Sequence, residues 1–376
     1  MSPVTFIATA VRWLPSVLVL ASLLIGPLQP SNDLRLRELT STASFKLLDW
    51  ETINVGARVG QLWRGVTGVV PASDADKHVL QAYFAQGSAR EDLRPQAERA
   101  LEDEVAQAYR DAGVTHSQPV GIAPLFPPVL VALTPPPNVL VISPRNDIRV
   151  ISSMVLRSMD VASEERLEDS ADSTGVSSLV APIGGLATYP AMVLEEGSSD
   201  RVLSSVAHEW LHQYLIFYPL GAGYWTSEET REINETTADM VGNEVGSSLA
   251  KQLDLIQPGA PVPPQQQSSF DFGAFMRETR QSVDVMLSAG QIDAAEAYMN
   301  ARRDELQRHG YAVRKLNQAY FALYGSYAEG YAASPANPIP GLLRQLRARG
   351  SLADFLFAVR DVTTVAQLRA LVATSA

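Results

Sequence analysis

The chain has no cysteine. That excludes disulfides, thiolate metal ligands and cysteine nucleophiles together. Any metal must therefore be held by His, Asp or Glu. Histidine is also scarce, with five residues in 376: His78, His116, His208, His212 and His309. Basic residues are outnumbered, 30 Lys and Arg against 41 Asp and Glu, for a net charge of −11. A nucleic-acid binder would present a basic face, so that class is excluded. Charged residues make up only 19% and apolar residues 46%, which excludes wholesale disorder and provides core for one or two domains.

Long apolar runs are rare. One spans Pro3 to Leu28, broken by Arg12 and Pro15 and densest from Trp13 onward. It reads as an N-terminal membrane anchor or signal segment over residues 1–30. No small-x-small cleavage site is evident in Gly26-Pro27-Leu28-Gln29-Pro30, which favours a retained single-pass anchor. Arg12 on one side and Arg35 and Arg37 on the other lean the following domain towards the extracytoplasmic side. Secretion after signal cleavage is the alternative. A second apolar stretch, Val120 to Ile142, holds six prolines and reads as short strands between turns.

Residues 31–115 carry helical periodicity over Asp74–Gln86 and Glu91–Asp111 and read as a helical stalk or N-terminal lobe. The charged run Glu98–Glu104 reads as a solvated helix face. Residues 116–200 form a strand-rich lobe, with strands expected at Val129–Leu133, Val139–Ile142, Ile148–Leu156, Val176–Ile183 and Leu186–Leu194. Ser163 is a plausible N-cap for a short acidic helix between them. Residues 201–376 are helical, interrupted by a Pro- and Gln-rich linker at Pro258–Ser269. Together 116–376 make one α+β domain: a small mixed sheet packed on a central helix, followed by a mostly helical C-terminal lobe.

That central helix carries His208-Glu209-Trp210-Leu211-His212, an H-E-x-x-H pattern. Histidines four apart lie on one helix face, so both imidazoles can reach one ion. Glu209 flanks the ion and can take a proton from water there. Val202, Leu203, Val206, Trp210 and Tyr214 supply an apolar stripe, so the motif sits where a helix is required anyway. A catalytic zinc needs a third protein ligand and an open position. Asn234-Glu235-Thr236-Thr237-Ala238-Asp239, on the next helix, offers Glu235 for that role and Asp239 as the partner that fixes a histidine tautomer. Glu232 is the rival ligand, and Glu228, Glu229 and Glu244 read as solvated.

From His208 to Asp239 the chain resembles the gluzincin metallopeptidases, the thermolysin-like group. The resemblance implies one Zn2+ ion held by His208, His212 and Glu235, with Glu209 as general base and a peptide or protein as substrate. It also implies that a strand ahead of the helix lines the cleft; Leu186, Ala187, Thr188 and Tyr189 occupy that position. An internal strand that only packs the helix is the alternative. Similar enzymes take an oxyanion donor from a later helix, for which Tyr320 and Tyr324 share a face, with Tyr224, His309 and Tyr327 as further candidates. The expected function is a zinc endopeptidase. The alternative is a membrane-tethered domain that keeps the fold but only binds a partner.

Overall fold

The computed structural model describes residues 38, 40–57, 72–85, 91–115, 125–255, 270–325 and 337–374. Among them the fold is α+β and mostly helical, with two three-stranded sheets. The helices are α1 (Leu47–Ala57), α2 (Asp74–Ala85), α3 (Arg94–Asp111), α4 (Val161–Asp172), α5 (Ser199–Leu215), α6 (Pro219–Ala222), α7 (Glu228–Gln252), α8 (Phe272–Ser288), α9 (Ile292–Arg308), α10 (Gln318–Tyr324), α11 (Ile339–Arg347), α12 (Leu352–Val359) and α13 (Val365–Thr374). The strands are β1 (Val131–Leu133), β2 (Asn138–Pro144), β3 (Ser152–Leu156), β4 (Val176–Pro182), β5 (Gly185–Leu186) and β6 (Ala191–Val193).

Helix α5 forms at the centre because its apolar stripe has somewhere to go. Val202, Leu203, Val206, Trp210 and Tyr214 are all buried in the main core. Ser198 is the N-cap of this helix, and Asp200 sits in the first turn, where its charge complements the dipole. Polar tips pin it in place. The Trp210 indole donates to the Pro127 carbonyl at 2.8 Å, and the Tyr109 hydroxyl to the Ala207 carbonyl at 2.9 Å. Helix α7 lies against α5 through small residues. A Cβ on Gly246 would fall 2.3 Å from the Ser204 backbone nitrogen, and one on Gly242 would fall 2.9 Å from the Ser204 carbonyl oxygen. Only glycine permits that approach, which brings Glu235 opposite the two histidines.

The mixed sheet, ordered β1-β6-β5, packs on α5. Its β1 edge is closed by α3: the Glu102 carboxylate accepts from Val131 N at 3.0 Å and the Glu98 carboxylate from Leu133 N at 2.9 Å. Four residues of helix rise about 6 Å, close to the two-residue repeat of a strand, so the two carboxylates match alternate amides. The run Glu98–Glu104 is therefore not a solvated face; Glu98, Glu102 and Glu104 are buried. Leu80, Leu101 and Tyr109 share the main core with α5 and α7, so α2 and α3 pack into the body.

The second sheet, β3-β2-β4, is antiparallel. Side chains alternate along β2. Leu140 and Ile142 enter a core under α4, while Val139 and Val141 point towards α8–α10 and the site. Asp160, not Ser163, caps α4; its side chain accepts from Ser163 N at 2.7 Å. The strand expected at Leu186–Leu194 is split into β5 and β6 by Ala187–Pro190. The expectation of a membrane-spanning helix is corrected: among the described residues no helix is long and apolar enough to cross a membrane. Residues 1–30, on which the anchor or signal assignment rested, lie outside the described residues, as do His116, Tyr327 and the linker 258–269.

Candidate metal centre

Helices α5 and α7 bring His208, His212 and Glu235 together as a group that could hold a metal ion. The two imidazole Nε2 atoms are 2.9 Å apart, and each lies 3.6 Å from Glu235 Oε2. A point equidistant from the three atoms is about 2.0 Å from each, the bond length of zinc to imidazole or carboxylate.

The surrounding hydrogen bonds fix what those atoms can be. Asn234 Nδ2 donates to the Leu220 carbonyl at 3.2 Å, which turns its Oδ1 towards His212 Nδ1 at 2.7 Å. His208 Nδ1 lies 3.1 Å from Asp239 Oδ1. Both Nδ1 atoms therefore carry hydrogen, and in the neutral rings both Nε2 atoms are lone-pair acceptors. Glu235 Oε1 accepts from the Tyr224 hydroxyl, while Oε2 is buried without a hydrogen-bond partner among the described residues. Three acceptors thus face one point, an arrangement that repels itself unless positive charge sits among them.

The acid–base properties agree. Burial works against a charged His208 ring, but the Asp239 hydrogen bond and the carboxylates of Glu209, Asp239 and Glu235 outweigh it and push the pKa up to about 9. Burial opposes a charged Glu235, yet His212, His208 and Tyr224 hold it down at about 2. Both shifts favour a cation at the centre, and without a metal a proton takes that place. Glu209 is only 7% exposed, and burial raises its carboxyl above the usual range against the pull of the two rings. A Cβ on Gly185 would fall 2.1 Å from Glu209 Oε1, so this glycine keeps the space the carboxylate occupies.

The group opens into a cavity of about 210 Å³. Its wall includes Val139, Val141 and Val155 from the antiparallel sheet, Leu186 and Ala187 from β5 and its end, and Leu323 from α10. Among the described residues β5 pairs only with β6, so its other edge is unpaired. Thr188 and Tyr189 do not line the cavity. Thr188 is buried with its hydroxyl on the Pro190 carbonyl at 2.6 Å, and Tyr189 is buried with its hydroxyl on the Pro128 carbonyl at 2.9 Å. Tyr320 and Tyr324 pack on each other, ring centroids 4.6 Å apart, in the core between α10 and the sheet; Leu323, not either tyrosine, reaches the cavity. His309 stacks on Phe270 and does not line the cavity. Glu232 is bonded to Asn337 and lies outside the three-residue group. His78 is exposed on α2.

Asn234 as the second histidine partner and Tyr224 as the holder of Glu235 are not evident from the sequence pattern alone. Asn234 does adjoin Glu235, and Tyr224 stands in the short connection between the two helices, a loop that such a site must use. Protein-family models, curated proteins and solved structures were all compared with the chain, and none matches.

Proposed function

We propose that the protein is a zinc-dependent peptidase, most consistent with an endopeptidase of the gluzincin kind. The observation that carries this reading is the convergence of His208 Nε2, His212 Nε2 and Glu235 Oε2 on one point, with the buried Glu209 carboxylate on the same helix face as the cavity. A divalent ion held there would supply Lewis acidity and lower the pKa of nearby water. The chain's own groups then have separable tasks. Glu209, its proton affinity raised by burial, takes a proton at its carboxylate and returns it to the leaving amine. Asp239 and Asn234 keep the imidazoles in the ligating tautomer. Tyr224 occupies one oxygen of Glu235 and leaves the other for the ion. Among the described residues the outer edge of β5 is unpaired, and a sheet edge of this kind recognises an extended peptide backbone by adding it as a strand.

The test joins metal content to turnover. Purified protein is expected to hold about one zinc per chain and to cleave a quenched-fluorescence peptide library. Glu209→Gln should keep the zinc and lower turnover by about 10²–10⁴-fold, the range for loss of a general base. Zinc at full stoichiometry with no cleavage, unchanged by Glu209→Gln, would point to a metal-dependent binding domain instead.

A further inference from the structure

We propose that Arg231 is the anion receptor of the metal cavity, and that the favoured substrate carries a carboxylate next to an aliphatic residue. The inference rests on the peptidase reading and names the substrate class of that site. Arg231 lies on α7 one turn before Glu235, so both side chains share a helix face, and both line the cavity.

The arginine is set apart by having no side-chain partner among the described residues. Among the described residues its side chain makes no hydrogen bond and no ion pair, and its Nε is buried. Other arginines are paired: Arg145 with Glu296, Arg280 with Asp284, Arg314 with Glu168 and Arg347 with Glu244. Glu228 and Glu232 feel the Arg231 charge only through space, and Glu232 is engaged by Asn337. An unpaired, partly desolvated guanidinium is costly, and a carboxylate satisfies it with two parallel N–H···O bonds. A chain of net charge −11 repels anions at long range, so a local cation in its cavity is selective for an anion that can reach it. Val139, Val141, Val155, Leu186 and Leu323 give the same wall an aliphatic portion, which suits a branched aliphatic group. The carboxylate has two sources, a peptide C-terminus or an Asp or Glu side chain.

Binding separates these. The probes are dansyl-Ala-Ala-Leu-Leu as free acid, the same peptide as C-terminal amide, and dansyl-Ala-Glu-Leu-Leu amide. Fluorescence anisotropy is read on full-length Glu209→Gln protein, so nothing is cleaved. One of the two carboxylate probes should bind about tenfold or more tightly than the plain amide. Whichever one does identifies the source. Adding Arg231→Met should bring all three within about twofold, with zinc content and melting temperature unchanged, and Arg231→Lys should keep part of the preference. Arg231→Gln gives the same reading if the methionine variant folds poorly. No preference with Arg231 intact, or one that survives its removal, overturns the proposal. So does a fall in kcat on Arg231→Met in the Glu209-intact enzyme with the acid-to-amide ratio unmoved. Absence of zinc together with an Arg231-dependent preference would instead remove the peptidase reading and leave the receptor standing.

Discussion

Two buried glutamates, Glu168 and Glu235, sit in environments of similar depth and opposite chemistry. Glu168 on α4 is 1% exposed and every oxygen is used. Oε1 accepts from Val180 N at 2.7 Å and Arg314 Nη2 at 2.6 Å; Oε2 accepts from Arg314 Nη1 at 2.8 Å, with Lys315 Nζ at 3.3 Å. Burial opposes its charge, but Arg314, Lys315 and the Val180 amide overcome that and hold the carboxyl below its ordinary range. Glu235 is 7% exposed, and one of its oxygens faces only imidazole nitrogens that are themselves acceptors. A saturated carboxylate fastens α4 and β4 to the segment before α10. An unsaturated one, grouped with two imidazoles and opening on a cavity, could hold a cation. Charge and burial alone do not separate these roles; the donor inventory does.

Removing each carboxylate is the strongest way to break that comparison. Glu235→Ala should abolish zinc retention after gel filtration, read by elemental analysis. Glu168→Ala should leave zinc content unchanged but destabilise the fold by about 3–5 kcal/mol in urea unfolding, because Arg314 and Lys315 lose their buried partner. Equal zinc loss in both variants would mean that the metal responds to general unfolding and not to the ligand set. A smaller effect tests the tautomer argument. Asp239→Asn should weaken zinc affinity by about 10–100-fold in competition with a chromogenic chelator, with little change in the unfolding of the metal-free protein. Wild-type affinity in this variant would show that His208 is oriented by something other than Asp239.

The parts of this site legible in the sequence are those written in helical spacing. The stripe from Val202 to Tyr214 places α5, the four-residue step places His208 and His212 on one face, and the same step links Glu235 to Asp239. What the sequence does not disclose depends on contacts between distant segments. Tyr320 and Tyr324 do share a helix face, but how α10 meets the antiparallel sheet decides that Leu323 reaches the cavity. The Glu98–Glu104 run looks solvated by composition, yet an unpaired strand edge claims two of its carboxylates. Thr188 and Tyr189 continue an apolar strand pattern, but Pro190 ends it, and their side chains turn into the body to bond the Pro190 and Pro128 carbonyls. Gly242 and Gly246 carry a readable signal, two small residues one turn apart, which marks where one helix can approach another closely.

The finest distinction between the saturated and unsaturated carboxylates is how stability follows pH. In metal-free protein His208 has a folded pKa of about 9, above the ordinary histidine value near 6.5. A raised pKa means the folded state holds the proton more tightly, so this contribution is complete below pH 6.5 and fades as pH rises through 9. Glu235, held at about 2, contributes above its ordinary value of 4.5 and fades only as pH falls through 2. The pair therefore stabilises the metal-free fold best between pH 4.5 and 6.5 and loses strength on the alkaline side. Zinc at the proposed centre would reverse that trend, because it would bind the deprotonated rings and gain affinity as the proton leaves. The melting-temperature gap between zinc-loaded and chelator-treated protein should widen steadily from pH 6 to pH 9 at fixed free zinc. Replacing Glu168, which lies outside the three-residue metal group, should lower both curves without changing the gap. A gap that stays constant with pH would mean that no proton competes with the ion, and that the two imidazoles do not face the shared point as neutral acceptors.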